Sequence, residues 1–398
     1  MNRVPKLRFK EFNDEWEESK LIEIVEIVKR RLEVEKNVPI LTISAGKGFI
    51  SQEERFSKVL AGNSLDKYTY LKKDEFSYNR GNSKQFKYGC IYKLEKYNEA
   101  LVPNVYRSFK FLKGNTNFYF QLFLKKYLDP QLRKLISSSA RMDGLLNIGE
   151  KDFFNVLVPI TSLEEQEKIG TFLSNIDKKI SITEEKLNLF NEYKKGIMQK
   201  IFNQELRFKD ENGNDYPEWE EKKLEEIANC LTGCPFDSEK FNELKLGLPL
   251  IRIRNLLNSN ISTYYNGTYE EKYIIKKNDI LIGMDGDFHT IKWNNKDSLL
   301  NQRIIKISSK NNLILYNSFL FYIIKKPIEK INLKISATTV KHLSTKDVFN
   351  IKIQLPCFEE QQKIADFLSA IDTKIEKISD ELENLKEFKK GLLQQMFV

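Results

Sequence analysis

The sequence has no apolar run that approaches the roughly 18 residues a membrane-crossing helix requires. Its longest candidate, from Leu313 to Ile324, is interrupted by Asn317 and Ser318. The first residues, MNRVPKLRFKEF, place no apolar stretch behind their basic side chains, so a secretory leader is not expected. Cysteine and histidine are scarce: Cys90, Cys230, Cys234 and Cys357, with His289 and His342. Cys230 and Cys234 lie four apart, but no second pair follows to close a tetrahedral zinc site. The reading is a cytoplasmic chain with reduced thiols and no metal. Two histidines also leave imidazole-based acid–base catalysis without support.

The short motifs that carry cofactors are missing too. There is no Pro-Pro dipeptide, and hence no Asn/Asp-Pro-Pro-aromatic loop to grip a flipped base for methylation of its amino group. No Walker lysine loop occurs, and Gly283-Met284-Asp285-Gly286 lacks the strand-to-helix spacing of a cofactor turn. The nearest carboxylate cluster with a lysine, Glu218 to Lys222, lies in a repeated element and reads as surface. No cofactor and no catalytic residue are expected.

What is present is a repeat. The 398 residues, 41% hydrophobic and 30% charged, suit a globular protein of two or three domains. Leu7-Arg8-Phe9-Lys10 returns as Leu206-Arg207-Phe208-Lys209, and Glu15-Trp16-Glu17-Glu18 as Glu218-Trp219-Glu220-Glu221. From residue 151 the copies run at a constant offset of 195, so that EEQEKIGTFLSNIDKKI from Glu164 matches EEQQKIADFLSAIDTKI from Glu359. Self-similarity over half the chain dictates two copies of one fold. The middles share only pieces: FYFQLFLKK against FLFYIIKK, read as one helix, and YLKKDEF at Tyr70 against YIIKKNDI at Tyr273, read as a strand with its turn. Two specificities on one scaffold and drift after duplication both fit that divergence.

Residues 164–202 contain no proline and carry a heptad seam. Ile169, Ile176, Thr183, Phe190 and Ile197 stand at one seam position, with Leu173, Ile180, Leu187, Lys194 and Ile201 at the other. The second copy repeats it through Ile364, Leu368, Ile371, Ile375, Ile378, Leu382 and Leu385, with Lys389 breaking the stripe where Lys194 does. So narrow an apolar stripe must be buried on another helix. The two helices are expected to pack antiparallel, chiefly through Ile169, Leu173, Ile176, Ile180, Leu187, Ile364, Leu368, Ile371, Ile375 and Leu382. At 1.5 Å per residue each reaches about 58 Å, long enough for a spacer; a hairpin packed on its own domains is the plainer alternative.

Net charge is +9, and its placement is uneven. Residues 27–163 hold 24 basic against 13 acidic side chains, and residues 244–358 hold 18 against eight. Segments 1–26 and 203–243 are net acidic and helix 164–202 is neutral. Two basic lobes on a common scaffold point to a long polyanion, and duplex DNA is the expected partner. Arginine pairs with guanine, and asparagine with adenine, in the major groove. The candidate DNA contacts are therefore Asn79, Arg80, Asn82, Lys84, Arg107 and Arg141 in the first copy. In the second they are Arg252, Arg254, Asn255, His289, Lys292, Asn294 and Arg303.

The pattern PKLRFKEF…EWEESKLIEI, a variable domain, then LVPITSLEEQEKIGTFLSNIDKKI, all present twice, resembles the specificity (HsdS) subunits of type I restriction-modification systems. The resemblance implies an α+β fold: two target-recognition domains of twisted β-sheet and helices, related by pseudo-two-fold symmetry and separated by an antiparallel pair of long helices. Residues 1–163 and 204–358 would be the recognition domains, and 164–203 and 359–398 the spacer helices. The resemblance further implies a non-catalytic subunit that reads the two halves of a split DNA site. Two adenine-methyltransferase (modification) subunits and two motor-nuclease (restriction) subunits would be its partners. Two other readings stand beside it, a coiled-coil scaffold for an acidic protein partner and a stand-alone DNA-modifying enzyme.

Overall fold

A computed structural model describes residues 4–33, 37–56, 67–81, 83–136, 145–258, 260–335 and 341–398. The chain divides into two compact units, Met1–Lys186 with Ile378–Val398, and Leu187–Lys377. Each unit therefore takes part of each long helix, Leu163–Phe202 and Phe358–Gln395.

The first unit centres on a four-stranded antiparallel sheet in the order Val25–Ile27, Arg107–Phe111, Phe76–Asn79, Cys90–Lys93. The second repeats that order with Ala228–Thr232, Ile304–Ser309, Ile280–Gly283 and Thr290–Lys292. Both middle strands follow the same tight turn. Asp74 and Asn278, residue types that tolerate left-handed backbone, sit there at φ 66° and 73°. The following carboxylate, Glu75 or Asp279, accepts the amide of Lys72 or Lys276. The YLKKDEF and YIIKKNDI pieces are thus one turn in two copies.

Core chemistry differs between the units. Aromatic rings fill the first, with Tyr78 stacked on Phe153 at 4.4 Å and Phe111 on Tyr119 at 4.3 Å. The matching strands of the second present Ile280, Ile282, Ile305 and Ile307, all buried. Over each sheet lies the expected helix, Thr116–Leu124 or Asn317–Ile323, apolar nearly all round and buried accordingly. Around this common frame the units diverge. The first adds two-stranded ladders, Leu41–Ser44 with Gly48–Ser51 and Tyr68–Lys72 with Glu99–Pro103. The second adds a five-stranded sheet containing one parallel pair, Leu248–Ile251 beside Ser298–Leu300.

The repeated end segments converge on one buried network per unit. Glu165, fully buried, accepts Arg8 Nε and Nη2 at 2.7 and 2.8 Å and Trp16 Nε1 at 3.1 Å. Glu360, also fully buried, accepts Arg207 Nε and Nη2 at 3.3 and 2.9 Å and Trp219 Nε1 at 2.9 Å. Hydrogen bonding to these carboxylates holds both guanidinium pKa values above their ordinary level. The neighbouring glutamines complete the joint. Gln166 accepts the Asn115 amide and donates to the Thr161 carbonyl; Gln361 accepts the Tyr316 amide and donates to the Pro356 and Ile314 carbonyls. LRFK, EW and EEQ recur because each supplies one part of this joint.

The first unit closes with the far end of the chain. The Leu7 amide donates to the Gln395 carbonyl at 2.9 Å, where the second unit has Leu206 donating to Lys200 at 3.2 Å. Leu392, Met396 and Phe397 join the first core as Ile201 joins the second. Ile169 and Leu173, and likewise Ile364, Leu368 and Ile371, belong to these domain cores, so the start of each seam serves the domain that precedes it.

One difference between the long helices follows from a close approach. A Cβ on Gly170 would lie 2.7 Å from Asn115 Oδ1 and 2.9 Å from the Phe118 nitrogen. Asn115 caps helix Thr116–Leu124 by accepting the amides of Asn117 and Phe118. The second copy has Ala365 at this position, and Tyr316 there makes no side-chain cap. Gly170→Ala is expected to destabilise the first unit by about 1–2 kcal/mol, because the clash with the cap outweighs the gain in helix propensity. Denaturant midpoints check this; a stabilised variant would contradict it.

Candidate nucleic-acid interface and helix pair

The loops that leave the strands Phe76–Asn79 and Ile280–Gly283 occupy the same place in the two frames. Each pairs with the segment ahead of a short helix. Gly81 bridges Leu145 in the first unit, and Asp285 bridges His342 in the second. Asn79 turns its loop by accepting the Gly81 amide, and Arg80 donates from Nη1 to the Leu146 carbonyl at 3.4 Å. Lys84 is exposed on that loop. Arg107 lies 3.5 Å from Glu150, which also takes Lys29 at 2.7 Å. Asn82 and Arg141 lie outside the described residues.

In the second unit Arg254 and Asn294 are exposed and His289 is half-buried. Arg252 lies over the Phe241 ring at 5.3 Å. Arg303 donates to Asp285 Oδ2 at 3.0 Å, while the other oxygen of Asp285 holds His342 Nδ1 at 2.7 Å. Neither His342 nor Asp285 is among the contacts that the sequence suggests. Their partnership spans 57 residues, and no local spacing announces it.

Two expected contacts have other work. Asn255 is buried; its Oδ1 accepts the Arg252 amide and its Nδ2 donates to the Asn260 carbonyl, so both ends of its amide shape the loop. Lys292 faces inward, with Nζ 5.2 Å from the Phe321 centroid. Lys93 is its counterpart, in the same strand and over Phe120 at 5.6 Å. Burial lowers the Lys292 pKa. Nearby Lys325 is pushed down to about 8, by burial first and then by Lys194. Burial also pushes the Cys90 and Cys230 thiols up to about 12, so neither is a thiolate nucleophile at neutral pH.

The two seam-breaking lysines have matching roles. Lys389 pairs with Asp177, and Lys194 with Asp372. Each aspartate is fixed from its own domain, Asp177 by Gln121 Nε2 at 2.7 Å and Asp372 by the Tyr322 hydroxyl at 2.8 Å. Position 177 lies opposite 389 in the first unit, and 194 opposite 372 in the second. Lys179–Glu381 and Lys386–Glu184 add exposed pairs of little energetic weight.

Residues 13–191 and 216–387 each match the family model described as the type I restriction modification DNA specificity domain. The chain belongs to that family. Among curated members, it is 36% identical over 180 residues to the type I restriction enzyme EcoBI specificity subunit of Escherichia coli. That match takes in 44% of this chain and 38% of the relative, so the chain spans well under half of the EcoBI subunit. It is 24% identical over 402 residues to the putative type I restriction enzyme MjaX specificity subunit of Methanocaldococcus jannaschii, covering 96% and 93% of the two chains. In fold it is similar to the S subunit of a type I restriction-modification system from M. genitalium, with a TM-score of 0.64, 18% identity and 99% of both chains covered. The specificity-subunit resemblance and the expected fold class of mixed helix and sheet, with two specificity domains and long helices, are therefore established. Among the described residues no helix is long and apolar enough to cross a membrane.

Proposed function

We propose that this specificity-family chain reads a bipartite duplex DNA sequence, one half through each unit, and recruits enzymes that act there. The carrying observation is that the charge surpluses of 11 and 10 fall in the two divergent middles, on sheets of identical strand order. A common frame with unlike loops suits two unlike half-sites, and lysine and arginine excess suits phosphates. The exposed candidates remaining for contact are Lys84, Arg254, Asn294 and Arg303, with His289, Arg252, Asn79, Arg80 and Arg107 at the loop bases. The helix pair, pinned by its two Lys–Asp contacts, would set the gap between half-sites and offer a docking face for two modification subunits. Two restriction subunits would join that assembly in the cytoplasm. The chain itself would be non-catalytic, its enzymes being the partners.

Exchanging residues 27–150 for those of a relative tests this. With modification subunits present, methylated adenines mapped across a genome should show one half of the site rewritten and the other unchanged. Both halves changing together would refute independent reading. Duplex affinity of the chain should also fall steeply with salt, by about 0.9 in log–log slope per phosphate contacted.

A further inference from the structure

Asp285 stands between two exposed cationic or ionisable side chains in the second unit, Arg303 and His342. Its two oxygens are divided between Arg303 and His342, whose side chains remain 57% and 48% exposed. Shared attachment to one carboxylate removes rotamer freedom from both cations before any ligand arrives. The loop beneath is tied at several points: Leu343 N to Met284 O at 2.7 Å, Met284 N to Arg303 O at 3.0 Å, and Gly286 N to Lys341 O at 3.3 Å. Lys341 in turn donates to Asn332, and Asn332 to Asp287. The cluster is therefore a fixed surface, at the place where the first unit has the Gly81–Leu145 bridge.

Resting on the DNA-reading function proposed above, we infer that Arg303, Asp285 and His342 form a base-reading cluster, in which Arg303 takes a guanine edge of the half-site bound by the second unit while Asp285 and His342 position it. Arg303 gives Asp285 one of its N–H groups, which leaves donors for the O6 and N7 acceptors of guanine. Asp285 prevents the guanidinium from swinging toward phosphate. His342 is a positioning residue: its hydrogen bond holds one oxygen of Asp285 and so turns the other toward Arg303. The other charged or polar groups around it are Asp287, His289 and Lys341. Both histidines of the chain lie in the second copy, so the first unit has no counterpart of this arrangement.

The test uses the full chain and a pool of random-sequence duplexes, from which the retained sequences are read. The native chain should select a two-part sequence with guanine at one position of one half. Arg303→Lys, which keeps the charge but loses the fork, should relax that position by about 10–100-fold and leave the other half intact. His342→Gln should weaken the preference less. The loss should fall at the same guanine position, whereas His289→Gln leaves the Asp285 bridge intact and should not relax it. An Arg303→Lys profile identical to native overturns the cluster, as does an undiminished guanine preference in His342→Gln. If Arg303→Lys fails to fold, the exposed His342→Gln variant decides alone. A native chain that selects no sequence defeats the proposed function itself, whereas native selection with unaltered variants defeats only this cluster.

Discussion

Glu360→Ala is expected to destabilise the second unit by about 3–5 kcal/mol, the cost of removing one partner from a buried ion pair. The size follows from what is left behind. The fully buried Glu360 carboxylate accepts two Arg207 bonds and the Trp219 indole. Without it, a guanidinium only 19% exposed loses its buried counter-charge and keeps the exposed Glu218 at 3.5 Å, and a buried N–H has no acceptor. Glu360→Gln should cost less, because an amide oxygen still accepts a donor, but the arginine loses its buried counter-charge. Glu165→Ala should do the same to Arg8 and Trp16. Hydrogen exchange separates the two: Glu360→Ala should expose amides near 206–224 and Glu165→Ala those near 7–21. A loss under about 1 kcal/mol for either would show that the network contributes little.

Lys194→Asp should cost about 1–3 kcal/mol, since it sets a second carboxylate against Asp372 in a half-buried seam. Asp372→Lys alone should be similarly harmful, by opposing Lys194 with another cation. The double exchange restores the pair in reverse and should recover most of the loss, because the Tyr322 hydroxyl that donates to Asp372 can equally accept from a lysine. A coupling energy of about 1–3 kcal/mol in this cycle would demonstrate the pin. The leucines and isoleucines do not by themselves choose among registers: a slip of one heptad keeps apolar residues facing apolar ones. It would carry Lys194 from Asp372 to Ala365 or Ser379, which gives the lysine no acceptor of its charge. Singles that lose stability additively would mean that the pair is incidental.

Much of this was legible in the sequence. The repeat, the two long helices, the seam and its paired interruptions, and the basic middles needed only periodicity and counting, because helices and duplications write themselves in local spacing. The shared helix and the turn before each middle strand were visible in fragments of a few residues. The contact residues were less so. Asn255 and Lys292 have the right chemistry for bases, yet one is consumed by its own loop and the other is drawn over a phenylalanine ring. Residue type reports what a side chain is able to bind, and only its neighbours in space decide what remains available.

The amino-acid order by itself determined that this chain is a duplicated α+β protein with two long helices and electropositive, unlike middles. Tertiary structure alone decided that those middles share one strand order, although the core-facing strand residues are largely aromatic in one and aliphatic in the other. A sheet's order depends on pairings between distant strands, which many different side chains satisfy. It alone also brought Arg8 to Glu165, Leu7 to Gln395 and Asp285 to His342, because contacts between residues far apart in sequence are made by folding and leave no spacing to count.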